Sequence, residues 1–145
     1  MDGKSEELVL VDTCVFLRYF FAEEGKDIVG VLLGKIVSKE LKAVVSVCTL
    51  SELVTVCIRN KKEDLIPTII LFIRQNFYVA NTTPETAILA GYFKAQYSKG
   101  QKTISYVDSV ILATSFLYGS LLLTYDSEYG EVKEVGIKTP YEYLK

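Results

Sequence analysis

The chain of 145 residues contains no histidine and no tryptophan, one methionine, three prolines and three cysteines. The missing histidine excludes Ser-His-Asp and Cys-His catalysis, a histidine general base and a His-ligated zinc site. Any chemistry must rest on carboxylates, lysines, tyrosines, hydroxyls, thiols or a metal held by oxygen. The cysteines, Cys14, Cys48 and Cys57, form no C-x-x-C pair, and their number is odd. They read as buried, reduced, small apolar side chains in a reducing compartment.

No long apolar run is present. Residues 109–125 carry no charge, but Ser109, Thr114, Ser115, Gly119, Ser120 and Thr124 interrupt them. That reads as a buried helix followed by a buried strand and not as a membrane span. The N-terminal residues 1–7 (MDGKSEE) are polar, without the basic-then-apolar pattern of an export signal, so a cytoplasmic protein is expected. Neither cationic excess nor low hydropathy is found. Sixteen Lys and Arg face eighteen Asp and Glu, and half of the residues are hydrophobic. A net charge of −2 argues against a general polyanion binder, and the apolar content excludes a disordered chain.

What is present is alternation. Residues 8–11 (LVLV), 43–47, 77–80 and 121–124 are short apolar runs that read as buried strands, with 135–138 as an edge strand. Between them, helices are expected over 13–22, 27–40, 50–59, 66–76, 85–98 and from Ser105 to Gly119. Thr83 and Pro84 open the fifth of these, and Gly119 closes the sixth. The length fits one domain, residues 1–145. The pattern gives an α/β class with a mostly parallel central sheet.

In such sheets, sites form at the carboxyl ends of strands. Asp12 directly follows the first strand and Asp126 lies just past the fourth. Glu52 and Asp108 fall in the first turns of the helices after the second strand and after Ser105. Each has a local reading. Asp12 caps a helix; Thr49 and Glu52 fit a capping box, Ser105 and Asp108 fit the same spacing, and Asp126 suits a turn. Together, four carboxylates at one edge would repel each other. A hard divalent cation relieves that repulsion, and Mg²⁺ and Mn²⁺ favour oxygen ligands.

The runs 8–13 (LVLVDT), 47–53 (VCTLSEL), 108–114 (DSVILAT) and 122–126 (LLTYD) resemble the four acidic motifs of the PIN domain family, in its order. Successive acids are 40, 56 and 18 residues apart. The resemblance implies a three-layer α/β/α fold with a five-stranded parallel sheet and Mg²⁺- or Mn²⁺-dependent cleavage of RNA. It implies that Asp12, Glu52 and Asp108 position the metal, with Asp126 as the fourth acid and Thr13 and Thr124 as supporting hydroxyls. Many compact members are VapC-type toxins restrained by an antitoxin protein, and many form homodimers. Tyr125 departs from the pattern, since relatives often carry a basic residue there. Arg18 is the arginine nearest the expected phosphate path; Lys94, Lys99 and Lys102 precede Asp108 and could meet phosphates.

Two other readings remain. The fold could serve as an RNA-binding or protein-docking module without catalysis. A phospho-accepting receiver domain also places an acid after its first strand, although Asp2, Glu6 and Glu7 precede that strand. Setting aside the four acids leaves sixteen cations and fourteen anions, so the remaining charge does not oppose a nucleic-acid substrate.

Overall fold

The computed structural model describes residues 7–98, 100–101 and 103–145. Lys99, Lys102, Asp2 and Glu6 lie outside them. Five strands, β1 (Leu8–Val11), β2 (Lys42–Ser46), β3 (Tyr78–Ala80), β4 (Leu121–Leu123) and β5 (Ile137–Lys138), form one all-parallel sheet in the order β3-β2-β1-β4-β5. That order differs from the β2-β1-β3-β4-β5 order of flavodoxin-like sheets such as receivers, which removes the receiver reading.

The strands are short, and the three inner ones, β1, β2 and β4, are mostly buried on both faces, so successive side chains sort into two cores. Val9, Val11, Ala43, Val45 and Leu123 face one way, against α1 (Thr13–Phe20), α2 (Lys26–Val37), α3 (Val47–Arg59) and α4 (Ile66–Asn76). Leu10, Val44, Ala80 and Leu122 face the other way, against α5 (Pro84–Tyr97) and α6 (Tyr106–Tyr118). Three layers follow from this division. Each fully buried Leu or Ile in the two cores contributes about 1.5–3 kcal/mol relative to exposure.

Several boundaries differ from the sequence reading. Helix α1 stops at Phe20, because Ala22 adopts a left-handed backbone with φ +54°. β2 ends at Ser46, whose side chain caps α3 by accepting from Cys48 N at 3.2 Å. Helix α3 therefore begins at Val47, and the expected capping box of Thr49 and Glu52 does not form. A seventh helix, α7 (Pro140–Leu144), was not anticipated; Thr139 and Glu142 close a reciprocal capping box at its start. Gly119 ends α6 at φ +64°, where a side chain would be strained. The three cysteines are free thiols, and of these only Cys57 is fully buried. Among the described residues, no helix is long and apolar enough to cross a membrane.

Candidate functional site

Strand order reverses across the sheet at β1: strands β2 and β3 continue on one side, β4 and β5 on the other. The crevice at such a switch point is where an open parallel sheet leaves room for a ligand. Asp12 sits there. Its backbone N–H donates to Leu123 O at 3.0 Å, extending the β1–β4 ladder by one residue. Its side chain is 4 % exposed. Oδ1 accepts from Thr13 N at 2.8 Å and Oδ2 from Thr124 Oγ1 at 2.8 Å. Asp12 is thus both a helix cap and a carboxylate fixed between two strands. Burial pushes its carboxyl up to about 6, against the pull of these hydrogen bonds, and the charges of Asp108 and Glu52 add to the rise.

Glu52 reaches the same place from the second turn of α3. Thr13 Oγ1 donates to Glu52 Oε1 at 2.6 Å and stands 3.1 Å from the hydroxyl of Thr49. Thr13 and Thr49 are both buried. Burial raises the Glu52 carboxyl; the Thr13 hydrogen bond opposes the rise and the charge of Asp108 adds to it.

Asp108 lies at the third position of α6, whose cap Ser105 accepts from Asp108 N at 3.0 Å. This half of the expected capping arrangement is therefore present. Burial raises the Asp108 carboxyl, with hydroxyls of Tyr129 and Ser105 opposing the rise and the charge of Asp126 adding to it. Tyr129 is fully buried beneath, its phenol 3.5 Å from the Asp108 carbonyl. Asp126 follows β4 after Thr124 and Tyr125. Its N–H donates to Thr124 Oγ1 at 3.0 Å, and its Oδ1 accepts from Glu128 N at 2.9 Å. That second bond caps a short 3₁₀ turn, Ser127–Tyr129.

Glu128 is the acid that the sequence reading missed. One carboxylate oxygen from each of Asp108, Asp126 and Glu128 falls within a mutual 4.8 Å. The charge of Asp126 is the main cause of a raised Glu128 carboxyl. The sequence signal was small: a second acid two residues past Asp126, on a turn that local propensity alone does not predict. Cys14 lies at the rim, its Sγ 3.4 Å from Thr124 Oγ1 and 3.8 Å from Asp12 Oδ2; burial pushes the thiol up to about 12.

Asp108, Asp126 and Glu128 thus form a close group from the start of α6 and the turn after β4, while Asp12 at the end of β1 and Glu52 on α3 lie outside that group but near enough to feel the charge of Asp108. Among the described residues the recorded ion pair is Lys35–Glu40 at 3.4 Å, and none involves these acids. An all-oxygen cluster without a cationic partner among the described residues has the donor chemistry of a hard divalent ion. Of the candidate phosphate contacts, Lys94 is turned away from this role: its Nζ donates to Ile104 O at 2.5 Å and sits over the Tyr106 ring.

Comparison with known proteins gives one consistent picture. The family model described as "PIN domain" matches residues 9–135. No curated protein gives a significant match. Among solved structures, VapBC2 from Rickettsia felis bound to a DNA fragment from its promoter superposes with a TM-score of 0.73 at 12 % identity, covering 91 % of this chain and 98 % of that one. DNA-bound VapBC from Salmonella typhimurium has a TM-score of 0.70 at 16 % identity, covering 94 % and 99 %. VapC20 from Mycobacterium tuberculosis, a sarcin-ricin loop cleaving toxin, has 0.68 at 16 % identity, covering 88 % and 98 %. At these identities the likeness is one of fold.

Proposed function

The chain belongs to the PIN domain family, and from that premise we propose that it is a divalent-metal-dependent ribonuclease, the toxin of a toxin–antitoxin pair. The observation that carries the proposal is the gathering, at the carboxyl ends of β1 and β4, of carboxylates that have no ion-pair partner among the described residues. Asp12, Glu52, Asp108 and Asp126 would hold Mg²⁺ or Mn²⁺. When bound, such an ion polarises a phosphate oxygen and lowers the pKa of a water.

The rest of the work belongs to the chain. Thr124 and Thr13 lock the orientations of Asp12 and Glu52, so that little reorganisation is needed when a cation arrives. The raised carboxyls favour the same outcome. Burial first, and the neighbouring charges after it, make the ionised carboxylates costly, and a bound cation would offset that cost. The substrate is RNA, entering from the side of exposed Glu128 and half-buried Asp126. A single domain spanning 1–145 acts in the cytoplasm, with an antitoxin protein as its regulator. A homodimer would cover exposed apolar side chains such as Ile88 and Tyr92, one turn apart on α5 and 63 % and 71 % exposed.

The test is cleavage of a mixed RNA pool with Mg²⁺, with Mn²⁺ and with EDTA, run beside Asp12→Asn. Cutting that needs metal and disappears in the variant is expected. Cutting that persists in Asp12→Asn with Mn²⁺ overturns the site assignment. Sedimentation velocity checks the dimer, and a small neighbouring reading frame encoding a DNA-binding protein supports the antitoxin.

A further inference from the structure

Arg18 occupies the last turn of α1, and its guanidinium carbon lies 4.0 Å from the centroid of the Tyr125 ring. Tyr125 is the residue between Thr124, which bonds Asp12, and Asp126. Its own N–H donates to Cys14 Sγ at 3.3 Å, so the ring is tied to the segment that carries the acids. The guanidinium is therefore held against the residue that joins Thr124 to Asp126.

It is also held in place from the other side. Arg18 Nη1 donates to Glu24 O at 2.9 Å. Gly25 adopts φ +90°, and a Cβ there would lie 3.2 Å from Tyr125 Oη and 3.8 Å from Arg18 Nη1. Only glycine combines that backbone with that close approach. Three segments (α1, the turn before α2 and the stretch after β4) thus close on one cation.

Among the described residues no carboxylate pairs with Arg18. A guanidinium has five N–H donors, and a backbone carbonyl occupies one. Stacked on an aromatic face, the fork is already ordered, which lowers the entropy lost when it grips an anion. Lys26 and Lys62 also lie over rings, those of Tyr19 and Phe21, but neither ring belongs to the acid-bearing segment.

We propose that Arg18, backed by Tyr125, binds a backbone phosphate of the substrate strand next to the one at the carboxylate cluster. This rests on the ribonuclease reading for the identity of the strand.

The competing role is a purely structural brace between α1 and the stretch after β4, and salt dependence separates the two. The probe is a short, labelled, mixed-sequence 2′-O-methyl RNA, which resists cleavage, bound in Mg²⁺ and followed by fluorescence polarisation over a salt series. Arg18→Ala is expected to weaken binding roughly tenfold, the loss of one charged hydrogen-bonded contact. It should also flatten the log–log salt slope by about 0.7, the value of one phosphate contact on a single strand. Arg18→Lys should keep the slope and lose part of the affinity. Arg18→Gln retains a donor for Glu24 O without charge, and it gives the same slope change should the alanine variant fold poorly. Mn²⁺ binding by calorimetry should be unchanged in all three.

A lowered Tm with wild-type affinity and slope makes Arg18 a brace and overturns the proposal. Failure of the wild-type protein to bind the probe at low salt overturns it as well. The outcomes are separable from those of the activity itself. Binding with the expected slope change but no metal-dependent cleavage sinks the ribonuclease reading and leaves the phosphate contact standing.

Discussion

Thr124 Oγ1 donates to Asp12 Oδ2 at 2.8 Å, joining two residues 112 positions apart through the parallel pairing of β1 and β4. Both are buried, and the hydroxyl is the only side chain recorded as donating an O–H to that carboxylate among the described residues. The bond fixes the orientation of a carboxylate that burial alone would leave costly.

Thr124→Val removes this donor without changing side-chain shape much. The Asp12 carboxyl should then rise further above about 6. The acid limb of the cleavage pH profile should move to higher pH, and Mn²⁺ affinity should fall about tenfold. A pH–rate series and calorimetry on the variant check both outcomes.

The pH dependence of stability follows from the sign of the Asp12 shift. Its folded pKa of about 6 exceeds the ordinary 3.8, so the folded state binds the proton more tightly than the unfolded chain. Without metal, stability should therefore fall as pH rises from about 4 to about 6 and then level, by about 3 kcal/mol at most for this group. Raised carboxyls on Glu52 and Asp108 act in the same direction. Asp12→Asn should raise Tm at neutral pH in EDTA while abolishing cleavage. Thermal unfolding at pH 4.5 and 7 in EDTA is the measurement, and a wild-type protein that gains stability with pH over this range contradicts it.

Thr13→Val should release Glu52 from its 2.6 Å hydrogen bond. Mn²⁺ affinity is expected to drop about tenfold or more with the fold retained, as when a group that orients a metal ligand is removed. Calorimetry gives the affinity, and circular dichroism confirms the fold.

Glu128→Gln tests the acid that only the structure brings into the cluster. If its oxygen joins those of Asp108 and Asp126 around an ion, affinity for Mn²⁺ should fall by a factor like that of Asp126→Asn. An unchanged affinity in Glu128→Gln limits the metal set to the four acids read from the sequence.

Ser105→Ala removes the cap of α6 and leaves Asp108 N without its partner. The expected cost is about 1 kcal/mol, read from the urea midpoint. Cleavage should fall as well, because Asp108 stands on the turn that the cap orders.

The strands and helices were legible because their signals are local. Buried strands show as short valine- and leucine-rich runs, and Thr83, Ser105 and Gly119 mark helix ends by their own chemistry. Asp12, Glu52, Asp108 and Asp126 were legible as acids at element boundaries in a family's order. Their gathering at one edge was an expectation of that order, and its physical cause, β1 lying between β2 and β4, appears only in the fold. Local reading failed where a near neighbour competed. Ser46 took the cap that Thr49 was expected to supply, and Glu52 was left free to meet Thr13.

By itself, then, the sequence determined an α/β chain that cannot use histidine chemistry and that carries acids at the ends of its strands and the starts of its helices. Only the tertiary structure decided which groups act together: Thr124 with Asp12, Thr13 with Glu52, Glu128 with Asp108 and Asp126, and Arg18 with Tyr125. The physical reason is separation along the chain. Periodicity and capping report on neighbours within a few residues. Hydrogen bonds and charges across the sheet arise only once strand order has brought distant segments within a few ångströms.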